Sequence, residues 1–450
     1  MSLFAPSLPR LIDPHALDQD PFAFLHEASL RGDAVVIREG AGLFSPEPAC
    51  PGVAALFGQR MNRRVLASPD EFLAPTSTAR AFELPEAVVK LNRSLHSMAG
   101  QDHRHHKTEL IKALQAARRD ACWSPVLATI GDRADTWRRA GRIALVSSLR
   151  QLTADIAVGL LFGPSHPLRD DLRAALERFF VLRRSLSLRR ATSPEALSEL
   201  TRAGTDLDRL LRSAVSAGRP GATPGESIHS ALGRSLGEDA AVSHLNVLFM
   251  SIVEPVTVAA AWLLLALSQR ADLRRSARDA YRRRRDSSGA ADALDLIILE
   301  TLRLLSPNAL MVRAAARDVD LDGIRLPKGT EILLVPFLSH RDPESFQDPH
   351  SFRPSRWQTA EPSPFGYLPF GAGHHACPGR TLASALTRAI AGEVLTRMDL
   401  VLTAEQEIDW ALDITFKPRS DIEMSARPLL DVEENGDIKW RGPISTLIQF

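Results

Sequence analysis

Three cysteines in 450 residues, far apart at Cys50, Cys122 and Cys377, are too few and too odd in number for a disulfide framework. They point to a reducing compartment, and we expect a cytoplasmic protein. Net charge is nearly absent as well. The formal balance of +1 removes the electrostatic case for nucleic acid or an anionic membrane as partner. Lysine is rare, with six among 55 basic residues, a bias we assign to genome composition rather than to function. The first residues, Met1-Ser-Leu-Phe-Ala-Pro, lack the basic n-region and apolar core of a signal peptide. There is one long apolar run, residues 245–267, and Glu254 and Pro255 interrupt it beside Ser251 and Thr257. The run is long enough to span a bilayer, but a charge at the bilayer centre costs ~2.5–3.5 kcal/mol. A buried helix is expected there, and no membrane anchor. Internal repeats, low-complexity linkers and clean domain boundaries are all missing.

What remains is ordinary globular material, 44% hydrophobic and 24% charged, enough for a large core. Residues 1–75 mix proline-rich turns with β-like pieces at 34–38 and 64–67. Helical periodicity then dominates the 76–305 region, strongest at 82–96, 103–118, 125–141, 150–162, 168–183, 195–217 and in a central helix at 240–268. The basic block at 278–286 reads as a solvated helix face. From 306 to 430 short strands and turns return, as at 323–329 and 330–336. The fold class is therefore mainly α with a small β region, in a single domain over 1–450, with a tail at 431–450.

The most informative stretch is Tyr367-Leu-Pro-Phe-Gly-Ala-Gly-His-His-Ala-Cys-Pro-Gly-Arg380. Gly371, Gly373 and Gly379 let a backbone close around a bulky flat ligand. Cys377 stands just before an apolar-periodic helix, where amide N–H groups and the helix dipole favour an anionic sulfur. A thiolate so held is a strong axial ligand for a haem iron. A nucleotide loop is excluded, since no strand–loop–helix context surrounds the glycines. A zinc site lacks a second Cys/His pair at finger spacing. The pattern Phe-Gly-x-Gly-x-His-x-Cys-x-Gly, met at Phe370, Gly371, Gly373, His375, Cys377 and Gly379, resembles the haem-binding loop (367–380) of the cytochrome P450 family.

Further motifs stand in the order that family has. Glu300-Thr-Leu-Arg303 resembles its Glu-x-x-Arg helix, and Phe352-Arg-Pro-Ser-Arg-Trp357 its meander. The resemblance implies a buried structural triad of Glu300, Arg303 and Arg356 beneath the loop. His103 and Lys107 match a His-x-x-x-Arg helix with lysine in place of arginine. With Arg313 and His375 they are the implied partners of the haem propionates, and Cys377 is the implied axial ligand. His340-Arg-Asp-Pro343 fits as a turn. The resemblance runs from about residue 98 to 427, and it implies the cytochrome P450 fold and haem b.

One departure stands out. The family's central helix carries an acid followed by threonine, and this chain reads Ser251-Ile-Val-Glu254-Pro255. Proline has neither a hydroxyl nor an N–H, and it leaves the carbonyl of Ser251 without its helical partner. Glu254, Ser251 and Pro255 are therefore the candidate catalytic positions. Thr257 is turned away from Pro255 and is expected to bond its own backbone. Three readings follow, in this order. The first is a monooxygenase in which water, Ser251 or the substrate replaces the hydroxyl. The second is an enzyme of coupling or rearrangement that needs no such proton path. The third is a peroxide user, although Glu254 would repel a fatty-acid carboxylate. Outside enzymes, a catalytically silent haem-binding relative is the alternative. The resemblance implies electrons from a separate ferredoxin or flavodoxin docking on the Cys377 side. Segments 76–95, 165–217, 308–312 and 414–417 are expected to close a pocket for a lipophilic or aromatic small molecule, of the kind used in secondary metabolism. The arginines at 183, 184, 189 and 190 are expected on a solvated face.

Overall fold

The computed structural model describes the chain except residues 1–3, 6, 45–48, 75–85, 188–192, 218–226, 286–288, 413–414 and 430–438. Arg189, Arg190, Ile414 and parts of the 76–95 and 431–450 segments therefore lie outside the described residues. Helices make up most of the rest, and a five-stranded sheet lies to one side.

The helix Glu238–Ser268 is apolar all round, and almost every residue in it is buried, as an all-round apolar helix demands. It packs against Leu145–Phe162 and Arg380–Leu395. Both Leu145–Phe162 and Glu238–Ser268 have the length and apolarity of a bilayer span, yet 61% and 72% of those windows are buried within the fold. They are core helices.

The sheet orders Ala34–Glu39, Gly52–Leu56, Glu331–Leu334, Met311–Ala315 and Phe72–Leu73, with the second and third strands parallel. A smaller apolar cluster beneath it joins Val36, Ala54, Ile332 and Leu334 to Leu368 and Ala372 of the loop. The sheet thus carries one edge of the cysteine loop. Val319–Leu321 and Ile324–Leu326 form a hairpin in which Asp322 and Gly323 have φ of 56° and 92°, the positive pair that a tight two-residue turn requires.

Two expectations are corrected. Residues 64–67 form no strand. They close the helix Gly58–Leu66, whose buried Met61, Asn62, Val65 and Leu66 follow the helical period. The basic block at 278–286 is not wholly solvated either, because its first residue, Arg278, is buried, shares Asp399 with Arg274 one turn before the block and donates to Leu395 O at 2.7 Å. A run of arginines hides such a pair, since their carboxylate lies more than a hundred residues away. The helix Ile228–Leu236 also escaped the periodicity reading.

Candidate active site

The loop before Arg380–Leu395 is set by backbone geometry. Gly371 and Gly373 have φ of 65° and 68°, and a Cβ on Gly373 would lie 2.1 Å from Leu66 O. Only glycine allows that approach. Cys377 N–H donates to Phe370 O at 2.9 Å, which closes the loop. The Cys377 thiol receives backbone N–H groups from Gly379 and Arg380. Its surface is exposed, yet burial pushes its pKa up, against the lowering effect of those amides, Lys107 and Arg380. A group that is both accessible and crowded by protein lines an enclosed space. His96 combines the same two properties.

Beside the sulfur gathers a set of basic side chains, of which Lys107 and Arg313 carry charge and the imidazoles are held neutral. Burial pulls His103 down to about 4 and His375 to about 3, and Arg313 to about 10. Arg313 also depresses His375 and His96, so these groups face one another. His103 is 1% exposed, and neither ring nitrogen has a hydrogen-bond partner. Lys107 Nζ donates to His374 O at 2.5 Å. Among the described residues, none of His96, His103, Lys107, Arg313, His374 and His375 forms an ion pair. His103, His374 and His375 place ligand atoms within 4.8 Å of one another, but Lys107 and Arg313 beside them favour an anion over a metal cation. The partnerless His103 ring, with Lys107 and Arg313 held only by backbone carbonyls and lacking a counter-charge, calls for an anionic partner. A planar ligand with two carboxylates, held at its metal by Cys377, satisfies all of them, and haem therefore fits this site.

The triad is assembled beneath. Glu300 and Arg303 are 0% exposed. Arg303 Nη2 and Nε reach Glu300 at 2.9 and 3.0 Å, and Arg356 Nε at 3.0 Å. Two donors escaped the motif reading, Trp357 Nε1 at 2.9 Å and Arg353 N–H at 2.8 Å. So did His340, whose Nδ1 bonds Arg303 O at 2.9 Å while its Nε2 accepts from Leu368 N–H at 2.8 Å. That ring ties the triad to the start of the loop.

His340 also sets a pH dependence. It is completely buried, and desolvation lowers it to about 3 from an ordinary 6.5. Between those values the unfolded chain takes up a proton that the folded chain refuses. The stability is therefore complete above pH 6.5 and is lost as pH falls toward 3, by up to ~1.4 kcal/mol per unit from this residue alone. Urea unfolding from pH 7 to 4 should show that slope, with His229 and His244, both lowered to about 4, adding to it. A flat profile would contradict it.

On the central helix, Ser251 is exposed between buried neighbours. Pro255 lies within the unbroken helix one turn on. Glu254 is clamped instead of open. Arg184 Nη1 lies 2.7 Å from its carboxylate, Arg150 Nη1 3.2 Å, Thr415 Oγ1 3.3 Å and Lys417 Nζ 3.4 Å. Arg184 is thus turned inward, and Arg183 Nη1 sits 3.0 Å from Met250 Sδ, which corrects the solvated reading for both. Thr257 does not bond its own backbone; its hydroxyl meets Thr153 Oγ1 at 2.7 Å. None of these partnerships has a sequence signal, since they join residues between 67 and 163 positions apart.

Comparison with known proteins agrees with this geometry. Residues 233–418 match the family profile described as Cytochrome P450. A Mycobacterium tuberculosis protein described as cytochrome P450 139 is 25% identical over 381 residues, covering 79% of this chain and 87% of its own length. The fold is similar to that of retinoic acid-bound cyanobacterial CYP120A1, with a TM-score of 0.75, 20% identity, and 94% and 99% of the two chains covered. It is also similar to P450BioI solved with a fatty-acid-loaded acyl carrier protein, with a TM-score of 0.69, 18% identity, and 91% and 99% covered.

Proposed function

Because the chain belongs to the cytochrome P450 family of haem-thiolate oxidoreductases, we propose that it is an oxygen-dependent monooxygenase acting on a lipophilic or aromatic small molecule. The observation that carries this reading is Cys377 facing two amides beside an unneutralised cation set. Haem b, when bound, supplies the electron-transfer and dioxygen chemistry. Cys377 holds its iron. Phe370, Gly371 and Gly379 shape the loop around it, while His103, Lys107, Arg313 and His375 take the propionates. Electrons come from a separate ferredoxin or flavodoxin on the Cys377 side, and the enzyme works as a soluble protein of secondary metabolism.

Proton supply differs from the family pattern. To carry a proton, Glu254 would have to give up the bonds that Arg150, Arg184 and Lys417 make to it. We assign it to hold the distal wall together. Ser251 is left as the exposed hydroxyl, and its own carbonyl, freed by Pro255, is an acceptor for water. The clamp also removes the earlier objection to an acidic substrate, because three cations outweigh the one carboxylate.

One observation favours a second reading. With Glu254 clamped and Thr257 engaged by Thr153, a coupling or rearrangement that needs no proton path suits the helix as well. Pro255→Thr separates the two. On the monooxygenase reading, the restored hydroxyl and N–H lower the fraction of NADPH electrons released as peroxide, by roughly the factor of ten or more that a positioned proton donor contributes. An unchanged peroxide fraction would contradict it.

A further inference from the structure

We propose that residues 439–450 are a positioning element for the thiolate loop, a third support beside the triad and His340; the inference rests on the haem-thiolate reading above. Nothing in the 431–450 sequence announced such a role. In the structure the described part is docked, with Trp440, Ile444 and Ile448 buried. Trp440 N–H donates to Gln269 Oε1 at 2.9 Å and Lys439 Nζ to Gln269 O at 2.7 Å, which fixes the segment to the end of the central helix.

Its far end reaches the underside of the loop at two points. Gln449 forms an isolated β-bridge with Ser351 in the 350–352 stretch. Phe352 N–H donates to Gln449 O at 2.7 Å, and Gln449 N–H to His350 O at 2.9 Å. Between those bonds lies Ser351, whose carbonyl accepts from Arg303 Nη2 and Arg356 Nη2, both at 3.1 Å. The segment and the triad thus grip the same short stretch of backbone from opposite sides.

The second point is Arg341. Its guanidinium is buried, lies 3.7 Å over the Phe337 ring and has no ion pair among the described residues. It is held by three carbonyls: Leu304 O at 2.8 Å, Phe337 O at 3.2 Å and, from the segment, Leu447 O at 3.1 Å. Its Nε already lacks an acceptor. A buried cation held by three carbonyls and one ring face, with a donor already unpaired, is sensitive to losing any of them. The next residue back is His340, which bonds the loop at Leu368. Removing the segment therefore frees the 350–352 stretch and disturbs the 340 turn together, and both lead to Cys377.

The test compares three haem-loaded proteins: the full chain, a chain ending at Ile438, and Gln449→Pro, which deletes the N–H donated to His350 and fixes φ at a position whose side chain is exposed. The readout is the time course of the reduced, CO-bound Soret band, which separates thiolate-ligated from thiolate-free haem, together with the urea midpoint. We expect the chain ending at Ile438 to lose the thiolate band at least about tenfold faster, the factor that one lost charge-assisted hydrogen bond represents, with Gln449→Pro in between. If the shortened chain does not fold, Gln449→Pro decides alone. A variant with a lower urea midpoint but an unaltered band lifetime would overturn the inference, because the segment would then be merely structural. A full chain that never shows the thiolate band overturns the haem-thiolate reading itself, and this inference with it.

Discussion

Glu300→Gln will yield little or no haem-loaded protein. The two carboxylate oxygens of Glu300 accept five donors, from Arg303 Nε and Nη2, Arg356 Nε, Trp357 Nε1 and Arg353 N–H, all between 2.8 and 3.0 Å. Replacing one oxygen by an NH2 group sets a donor against donors and leaves two buried guanidiniums without a counter-charge. Breaking a buried ion pair from one side costs roughly 3–5 kcal/mol. A whole domain is stable by only about 5–15 kcal/mol, so a substantial part of the margin goes. The loss falls where Arg303 also holds His340 O and Ser351 O, directly under the loop. Haem-to-protein ratio and urea midpoint are the measurements, and wild-type values in both would show that the triad supports nothing. Glu300→Asp keeps the charge but shortens the reach, and should fall between.

The second large effect is at the sulfur. Cys377→His should retain a haem, since the cation set and the glycine loop are untouched, but with imidazole as its ligand. Sulfur's electron donation into the iron favours O–O cleavage, so oxygenation should fall to background, and the reduced, CO-bound Soret band should move to the position of a nitrogen-ligated haem. An unaltered band would mean that another residue is the ligand.

How much of this was legible in the chain depended on how local each feature is. The loop, the helices and the hairpin at 322–323 are written in neighbouring residues, where glycine placement and apolar period carry the signal. The triad could be named because two of its members share a helical turn and the third sits in a short motif. The Glu254 clamp could not, because Arg150, Arg184 and Lys417 come from three separate elements. Position in the helix suggested an acid poised for protons, and the fold gives that acid three cations. The same distance hid Asp399 from the arginines of 271–283 and the 350–352 stretch from the tail. Charge partners across a fold have no spacing rule, whereas faces of one helix do.

The central claim is oxygen-dependent monooxygenation. The most direct measurement offers purified haem-loaded protein a panel of lipophilic and aromatic probes under two regimes. One supplies NADPH with a surrogate ferredoxin, its reductase and isotopically labelled dioxygen; the other supplies hydrogen peroxide alone. The account predicts oxygenated product in the first regime, carrying one labelled oxygen atom. Product formed with peroxide alone, and none carrying the label under NADPH, would contradict it.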